Sequence, residues 1–199
     1  MAGADAAGYV NQFADSVFSD GAAEIIQKTN YPNDGKVILN AKGLDELKIR
    51  NPSWCSNFTL NKNYSMCDGY AVIENDGSEI VLEMEIKPVL IQSRPEVTEN
   101  IGKAALMRGP VVYCVESVDN GENIHSLILT GTDGASVTYN DELRSNIIEL
   151  NALKYAPQAE LYGEANDAVE SATIKFIPYY AFANRGESDM LVWLNYRGD

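Results

Sequence analysis

Apolar and polar side chains alternate along most of this chain with a period of two. In Ser78-Glu-Ile-Val-Leu-Glu-Met-Glu-Ile86, the residues Ile80, Leu82, Met84 and Ile86 fall on one side and Glu83 and Glu85 on the other. That is the pattern of a strand with one wet face. Shorter runs of the same kind predict strands over Tyr9–Phe13, Glu24–Thr29, Lys36–Ala41, Leu47–Arg50, Phe58–Asn61, Tyr70–Glu74 and Val89–Gln92. Further strands are predicted over Ala104–Met107, Val111–Glu116, Ser126–Leu129, Ser136–Tyr139, Ile147–Leu153, Thr173–Ile177 and Met190–Leu194. Turn sequences separate them: Asn33-Asp-Gly35, Asp68-Gly69, Asp76-Gly77, Asn120-Gly121 and Asp133-Gly134. In each, glycine is the residue that takes a positive φ without cost. Strands at roughly ten-residue spacing with such turns predict an all-β sandwich or barrel.

Helical periodicity is thin. The best window is Asp141–Lys154, where Asp141 and Glu142 suit a helix start. There, however, Ile148, Leu150 and Ala152 alternate with Glu149, Asn151 and Leu153, which favours a strand. Two polar stretches, Arg94–Gly102 and Tyr162–Ser171, set off residues 96–171 as a separate, smaller sandwich.

Charge narrows the function classes. The 199 residues carry 15 basic and 29 acidic side chains, a formal net charge of −14. Such a chain disfavours nucleic acid and anionic membrane partners, which need clustered Lys and Arg. No apolar run approaches the roughly 18–20 residues of a membrane span. The opening MAGADAAGYV has neither a basic nor an apolar signal-peptide region, which tilts the expected location towards the cytoplasm.

Candidate chemistry is sparse. Cys55, Cys67 and Cys114 are scattered, without a C-x-x-C pair, and His125 is the single histidine, so the expectation is structural thiols and no metal site. A nucleophilic triad would have to use His125, which has no marked nucleophile nearby. Asp119-Asn-Gly-Glu-Asn123 has the letters of a calcium loop and equally of an ordinary turn. Asn57-Phe-Thr and Asn63-Tyr-Ser match the short glycosylation pattern. No phosphate-cradling glycine motif is present. The remaining clue is aromatic: eleven Tyr, two Trp and five Phe serve either a core or a sugar-stacking surface.

Three segments carry a resemblance. They are Tyr9-Val-Asn-Gln-Phe13 with Gln27-Lys-Thr-Asn-Tyr-Pro-Asn-Asp-Gly-Lys-Val37 and Ile49-Arg-Asn-Pro-Ser-Trp54; then Gly102-Lys-Ala-Ala-Leu-Met-Arg-Gly-Pro-Val-Val-Tyr-Cys-Val-Glu116; and finally Phe176-Ile-Pro-Tyr-Tyr-Ala-Phe-Ala-Asn-Arg-Gly186 with Met190-Leu-Val-Trp193. In order and spacing, from Tyr9 to Trp193, they resemble the C-terminal part of family 127 glycoside hydrolases, the β-L-arabinofuranosidase-like family. The resemblance implies a catalytic (α/α)6 barrel outside this chain. Its nucleophile lies in an adjacent Cys pair, zinc is held by Cys and Glu, and a separate Glu is the acid/base. This chain has no Cys-Cys pair, so it is expected to be the accessory part, with no catalytic, cofactor-binding or metal-binding residues of its own.

The resemblance also implies jelly-roll-like sandwiches in which the chain re-enters its first unit. The expected organisation is a first sandwich of residues 9–95 plus 172–199, a second of 96–171 inserted in it, and residues 1–8 as a leader. Expected partners are the catalytic barrel and a second copy, with carbohydrate as the alternative. Between two strand-like runs, Tyr179, Tyr180, Phe182 and Arg185 form the candidate interface, since aromatics and Arg are enriched at binding hot spots.

Overall fold

A computed structural model of the chain describes residues 6–158 and 160–198. The chain divides into two compact units, Met1–Ile86 and Lys87–Asp199. Both are built from strands, and the one α-helical element among the described residues is a single turn, α1 (Ser117–Asn120). None of the described helices is long and apolar enough to cross a membrane.

The first unit holds β1 (Ala7–Val10), β2 (Ser16–Asp20), β3 (Ala23–Thr29), β4 (Lys36–Lys42), β5 (Glu46–Arg50), β6 (Phe58–Leu60), β7 (Ser65–Cys67), β8 (Tyr70–Glu74) and β9 (Ile80–Met84). They form a four-stranded sheet in the order β1-β5-β8-β7 and a five-stranded sheet in the order β2-β3-β4-β9-β6. Alternation explains the packing. Val37, Leu39 and Ala41 of β4, Leu47 and Ile49 of β5, Ala71 and Ile73 of β8, and Ile80, Leu82 and Met84 of β9 all turn into one core. Each fully buried large side chain there contributes about 1.5–3 kcal/mol. Gly35 has a reason other than the expected positive φ: a Cβ at this position would lie 1.8 Å from the Met84 carbonyl oxygen, so the β4 end can approach β9 only with hydrogen as side chain. Ala7 and Gly8 belong to β1, so the expected leader does not extend to residue 8; residues 1–5 lie outside the described residues.

The second unit holds β10 (Pro88–Ile91), β11 (Lys103–Arg108), β12 (Val111–Glu116), α1, β13 (Leu127–Leu129), β14 (Ser136–Asn140), β15 (Ser145–Tyr155), β16 (Val169–Pro178), β17 (Met190–Leu191) and β18 (Trp193–Tyr196). Following the pairings β11–β18, β18–β13, β13–β15, β15–β16, β16–β12 and β12–β11 returns to the start, so six strands close into a barrel. Inside lie Leu106, Tyr113, Val115, Leu129, Ile148, Leu150, Ile174, Phe176 and Leu194. Cys114 and Ile177 face the other way, into a small outer cluster with Ala181. Residues 113–116 of β12 are therefore buried without a break, as for a strand covered on both faces.

This arrangement corrects the expected topology. The segment Thr173–Leu194 does not re-enter the first unit: β16 lies between β15 and β12, and β18 between β11 and β13. Eight consecutive pairs, from Ile148↔Phe176 to Tyr155↔Val169, hold β16 beside its sequence neighbour, the commoner outcome for successive strands. The polar stretch Tyr162–Ser171 is thus a hairpin connection running into β16, not a domain boundary. The second unit is a closed barrel instead of an inserted sandwich, and it begins at Lys87, not 96, because β10 pairs with β11.

Candidate functional site

The segment after β16 folds as a 3-10 turn, Tyr179–Ala181, and returns through Phe182–Asp189 to β17. Ala181 is buried, whereas Tyr179, Tyr180 and Phe182 are 50%, 62% and 36% exposed. The three rings are not part of the unit's core. The Tyr180 hydroxyl lies 2.6 Å from Ser145 Oγ, which fixes one ring against the start of β15.

Beneath the rings the loop is tied down by charge. Arg185 Nη2 donates to Glu116 Oε2 at 2.6 Å, and Nη1 donates to Asp119 Oδ1 at 2.9 Å. Nη2 also pairs with Asp119 Oδ2. Lys175 Nζ on β16 reaches Asp119 Oδ1 at 2.8 Å, and the backbone N–H of Ala183 donates to Glu116 Oε1 at 3.0 Å. Glu116 ends the apolar run of β12 and Asp119 sits in α1, so a strand, a helical turn, a neighbouring strand and the loop converge on two acids and two bases. At the far end of the loop, Asp189 N–H donates to Ser117 Oγ at 3.0 Å and Ser117 N–H to Asp189 O at 2.9 Å. Asn120 ties α1 to β16, donating to Lys175 O at 2.9 Å and accepting from Lys175 N–H at 2.9 Å.

The electrostatics follow from these contacts. Burial alone would raise the Asp119 carboxyl, but the hydrogen bonds and charges of Arg185 and Lys175 outweigh it and bring it below its ordinary value. The hydrogen bonds that Arg185 donates to Asp119 and Glu116 hold its guanidinium firmly protonated. Burial pushes the neighbouring Cys114 thiol up to about 12, with the Glu116 charge adding to the effect.

The four residues singled out in sequence thus occupy one loop, but with different roles: Tyr179, Tyr180 and Phe182 present rings outward, and Arg185 turns inward as the anchor. Sequence reasoning missed its partners Glu116, Asp119 and Lys175. A readable signal existed for Glu116, an acid closing an apolar run that has to find a cation if buried. The calcium letters of Asp119–Asn123 are spent otherwise, since Asp119 serves Arg185 and Lys175 while Asn120 serves backbone groups. His125 is exposed in a short 3-10 turn. Cys55 is buried and contacts Asn57 O, Cys67 is exposed, and Cys114 is buried. Among the described residues no three His, Cys, Asp or Glu side chains are grouped to hold a metal ion.

Comparison with known proteins gives a consistent picture. The model of the glycoside hydrolase family 127 C-terminal domain matches residues 88–195, which is nearly the whole barrel unit. A non-reducing end β-L-arabinofuranosidase of Bifidobacterium longum is 32% identical over 194 residues, covering 84% of this chain and 29% of that protein. The crystal structure of a GH127 β-L-arabinofuranosidase from Geobacillus stearothermophilus T6 superposes with a TM-score of 0.86 at 32% identity, covering 98% of this chain and 34% of that one. A second solved GH127 β-arabinofuranosidase gives 0.80 at 26% identity, covering 97% and 35%. The chain therefore spans about a third of the length of these relatives.

Proposed function

The chain belongs to glycoside hydrolase family 127, whose C-terminal domain it carries, and on that premise we propose that it is the non-catalytic accessory region of a β-L-arabinofuranosidase-like enzyme. In this reading its two units, the first a jelly-roll-like sandwich, brace a separate catalytic (α/α)6 barrel and contribute to contacts between two copies. Zinc and the catalytic groups belong to that barrel. The observation that supports the reading best is the loop of Tyr179, Tyr180 and Phe182. Three exposed rings stand on a base of paired, buried charges. Rigid aromatic contacts of this kind lose little entropy on docking.

Complementation tests it. A family member's catalytic barrel produced without its C-terminal region should regain solubility and turnover when co-expressed with this chain. The Tyr179→Ala, Phe182→Ala chain should rescue at least about tenfold less, as expected for removal of hot-spot rings. Absent rescue, or rescue indifferent to the rings, would overturn the bracing role. The chain by itself is expected not to hydrolyse aryl arabinofuranosides; turnover abolished by mutating one of its own residues would remove the non-catalytic assignment.

The same exposed rings favour one second reading, a carbohydrate-binding module, because half-exposed Tyr faces suit stacking on a sugar. Retention of the isolated chain on an immobilised arabinan, lost with Tyr179→Ala, would select it over bracing.

A further inference from the structure

Strand alternation puts Ala104, Leu106 and Leu194 inside the barrel, so Lys103 of β11 and Trp193 and Asn195 of β18 face outward. The register sets Lys103 opposite Asn195, two residues along from Trp193. Two depressions meet at Lys103. One, of about 310 Å³, is formed by residues 92–103 and offers Gln92, Arg94 and Asn100. The other, of about 80 Å³, is lined by His125, Leu127, Trp193 and Asn195.

Several polar groups here are uncommitted. Asn195 Nδ2 donates to His125 O at 2.9 Å and to Leu127 O at 3.2 Å. That fixes the amide and leaves Oδ1 as an acceptor with no donor among the described residues. Among those residues, the Lys103 ammonium and the His125 imidazole also have no hydrogen-bond or ion-pair partner. Arg94 is held by an exposed pair with Glu96 at 3.2 Å, which costs little to break. No Asp or Glu lines either depression, although 29 of the 199 residues are acidic.

We propose that the joined depressions bind a short acidic saccharide, a chain of uronic acid units, with one sugar ring against the Trp193 indole and its carboxylate on Lys103. The site goes beyond the function proposed above and shares no residue with the loop of Tyr179, Tyr180 and Phe182. A sugar ring has an apolar C–H face and a rim of hydroxyls. The indole supplies the apolar contact, and the amides of Asn195, Asn100 and Gln92 both donate and accept, as hydroxyls require. Unpaired cations select the acid over a neutral analogue, because a charge-assisted hydrogen bond is about twice as strong as a neutral one. Lys103 takes the first carboxylate, and Arg94 offers charge to an adjoining unit.

Magnitudes set the expected strength. The larger depression lies at the low end of the roughly 300–1,000 Å³ of small-ligand sites, so a Kd of about 0.1–1 mM is expected. The net charge of −14 opposes an anion at long range. At about 0.15 M salt that repulsion is screened beyond about 8 Å, and contacts inside the groove decide.

Fluorescence of the 199-residue chain in a Trp54→Phe background tests the proposal, since Trp193 is then the only indole. Trigalacturonate at about 0.15 M sodium chloride should change the Trp193 emission saturably. Its methyl ester, with the same rings and no charge, should bind at least about tenfold more weakly. Lys103→Gln, a change at a half-buried surface position, should bring the acid down towards the ester. By calorimetry, Trp193→Ala with a native circular dichroism spectrum should lose at least about tenfold in affinity. An unresponsive Trp193, or binding indifferent to Lys103→Gln, would overturn the site. Equal binding of acid and ester would overturn the acidic class of ligand.

Discussion

Arg185 Nη2 and Glu116 Oε2 meet at 2.6 Å across 69 residues of sequence, with the Glu116 side chain only 1% exposed. A carboxylate so deep at the end of a strand has no solvent to fall back on. Its charge is tolerable because the guanidinium and the Ala183 N–H share it. The pair links the end of β12 to the loop that carries the exposed rings, so its loss should be felt both in stability and in loop order.

Arg185→Met should therefore destabilise the barrel unit by about 3–5 kcal/mol, the usual cost of stranding a buried charge. Glu116→Gln combined with Arg185→Met should recover part of that loss, because the stranded charge is gone. Urea unfolding followed by near-UV circular dichroism reads both variants. A single substitution costing no more than a surface salt bridge, below about 1 kcal/mol, would mean the pair is not an anchor.

Asp119 gives the cluster a pH dependence of definite sign. Its folded-state pKa lies below its ordinary value, so in the window between the two the unfolded chain binds more protons than the folded one. The contribution is present above about pH 4, the unfolded value, and is lost as pH falls through the folded value. Asp119→Asn should accordingly lower stability at neutral pH and flatten the decline below about pH 4. Urea midpoints across the acid range should show the two curves converging; parallel curves would show that Asp119 does not titrate in this way.

Most strands were legible because burial on one face writes a period of two into the sequence, as in β9, where Ile80, Leu82 and Met84 alternate with Val81 and Glu83. The strand predicted over Ile147–Leu153 lies within β15 for the same reason. Strand β2 was missed because none of its residues is buried and no alternation is selected. The topology was misread because local pattern does not record partners. A polar run such as Tyr162–Ser171 looks the same whether it separates domains or joins β15 to β16. The site was half legible. Aromatics and Arg in one short run marked the loop, but the acids that anchor it come from 66 and 69 residues away, and only folding puts them together.

The thiols should separate cleanly by access. Cys67 is exposed, while burial raises both Cys55 and Cys114, the latter to about 12. Since the thiolate is the reactive form, a disulfide reagent at neutral pH should modify Cys67 rapidly. Cys55 and Cys114 should react only on unfolding in urea. Mass mapping identifies the modified residues, and fast labelling of Cys114 in the native chain would contradict its enclosure behind β16 and the loop.

Truncation after Ser171 distinguishes the observed connectivity from a chain that re-enters its first unit. The cut removes most of β16 and all of β17 and β18, opening the barrel at two places: between β15 and β12, and between β13 and β11. It also removes Ile174, Phe176, Ile177 and Leu194, each at most 1% exposed. At about 1.5–3 kcal/mol per side chain their loss amounts to roughly 6–12 kcal/mol, comparable to the whole stability of a domain, about 5–15 kcal/mol. The remainder of the second unit should therefore unfold. The first unit contributes none of the removed strands and keeps its own core of Leu39, Leu47, Ile49, Ile73 and Leu82, so it should stay folded. Amide exchange should show protection retained in β4, β5, β8 and β9 and lost in β11, β12 and β15. Protection surviving in β12 and β15 of the truncated chain would mean that the barrel does not depend on closure. Its loss from β4 and β5 would mean that the first unit cannot stand without the second.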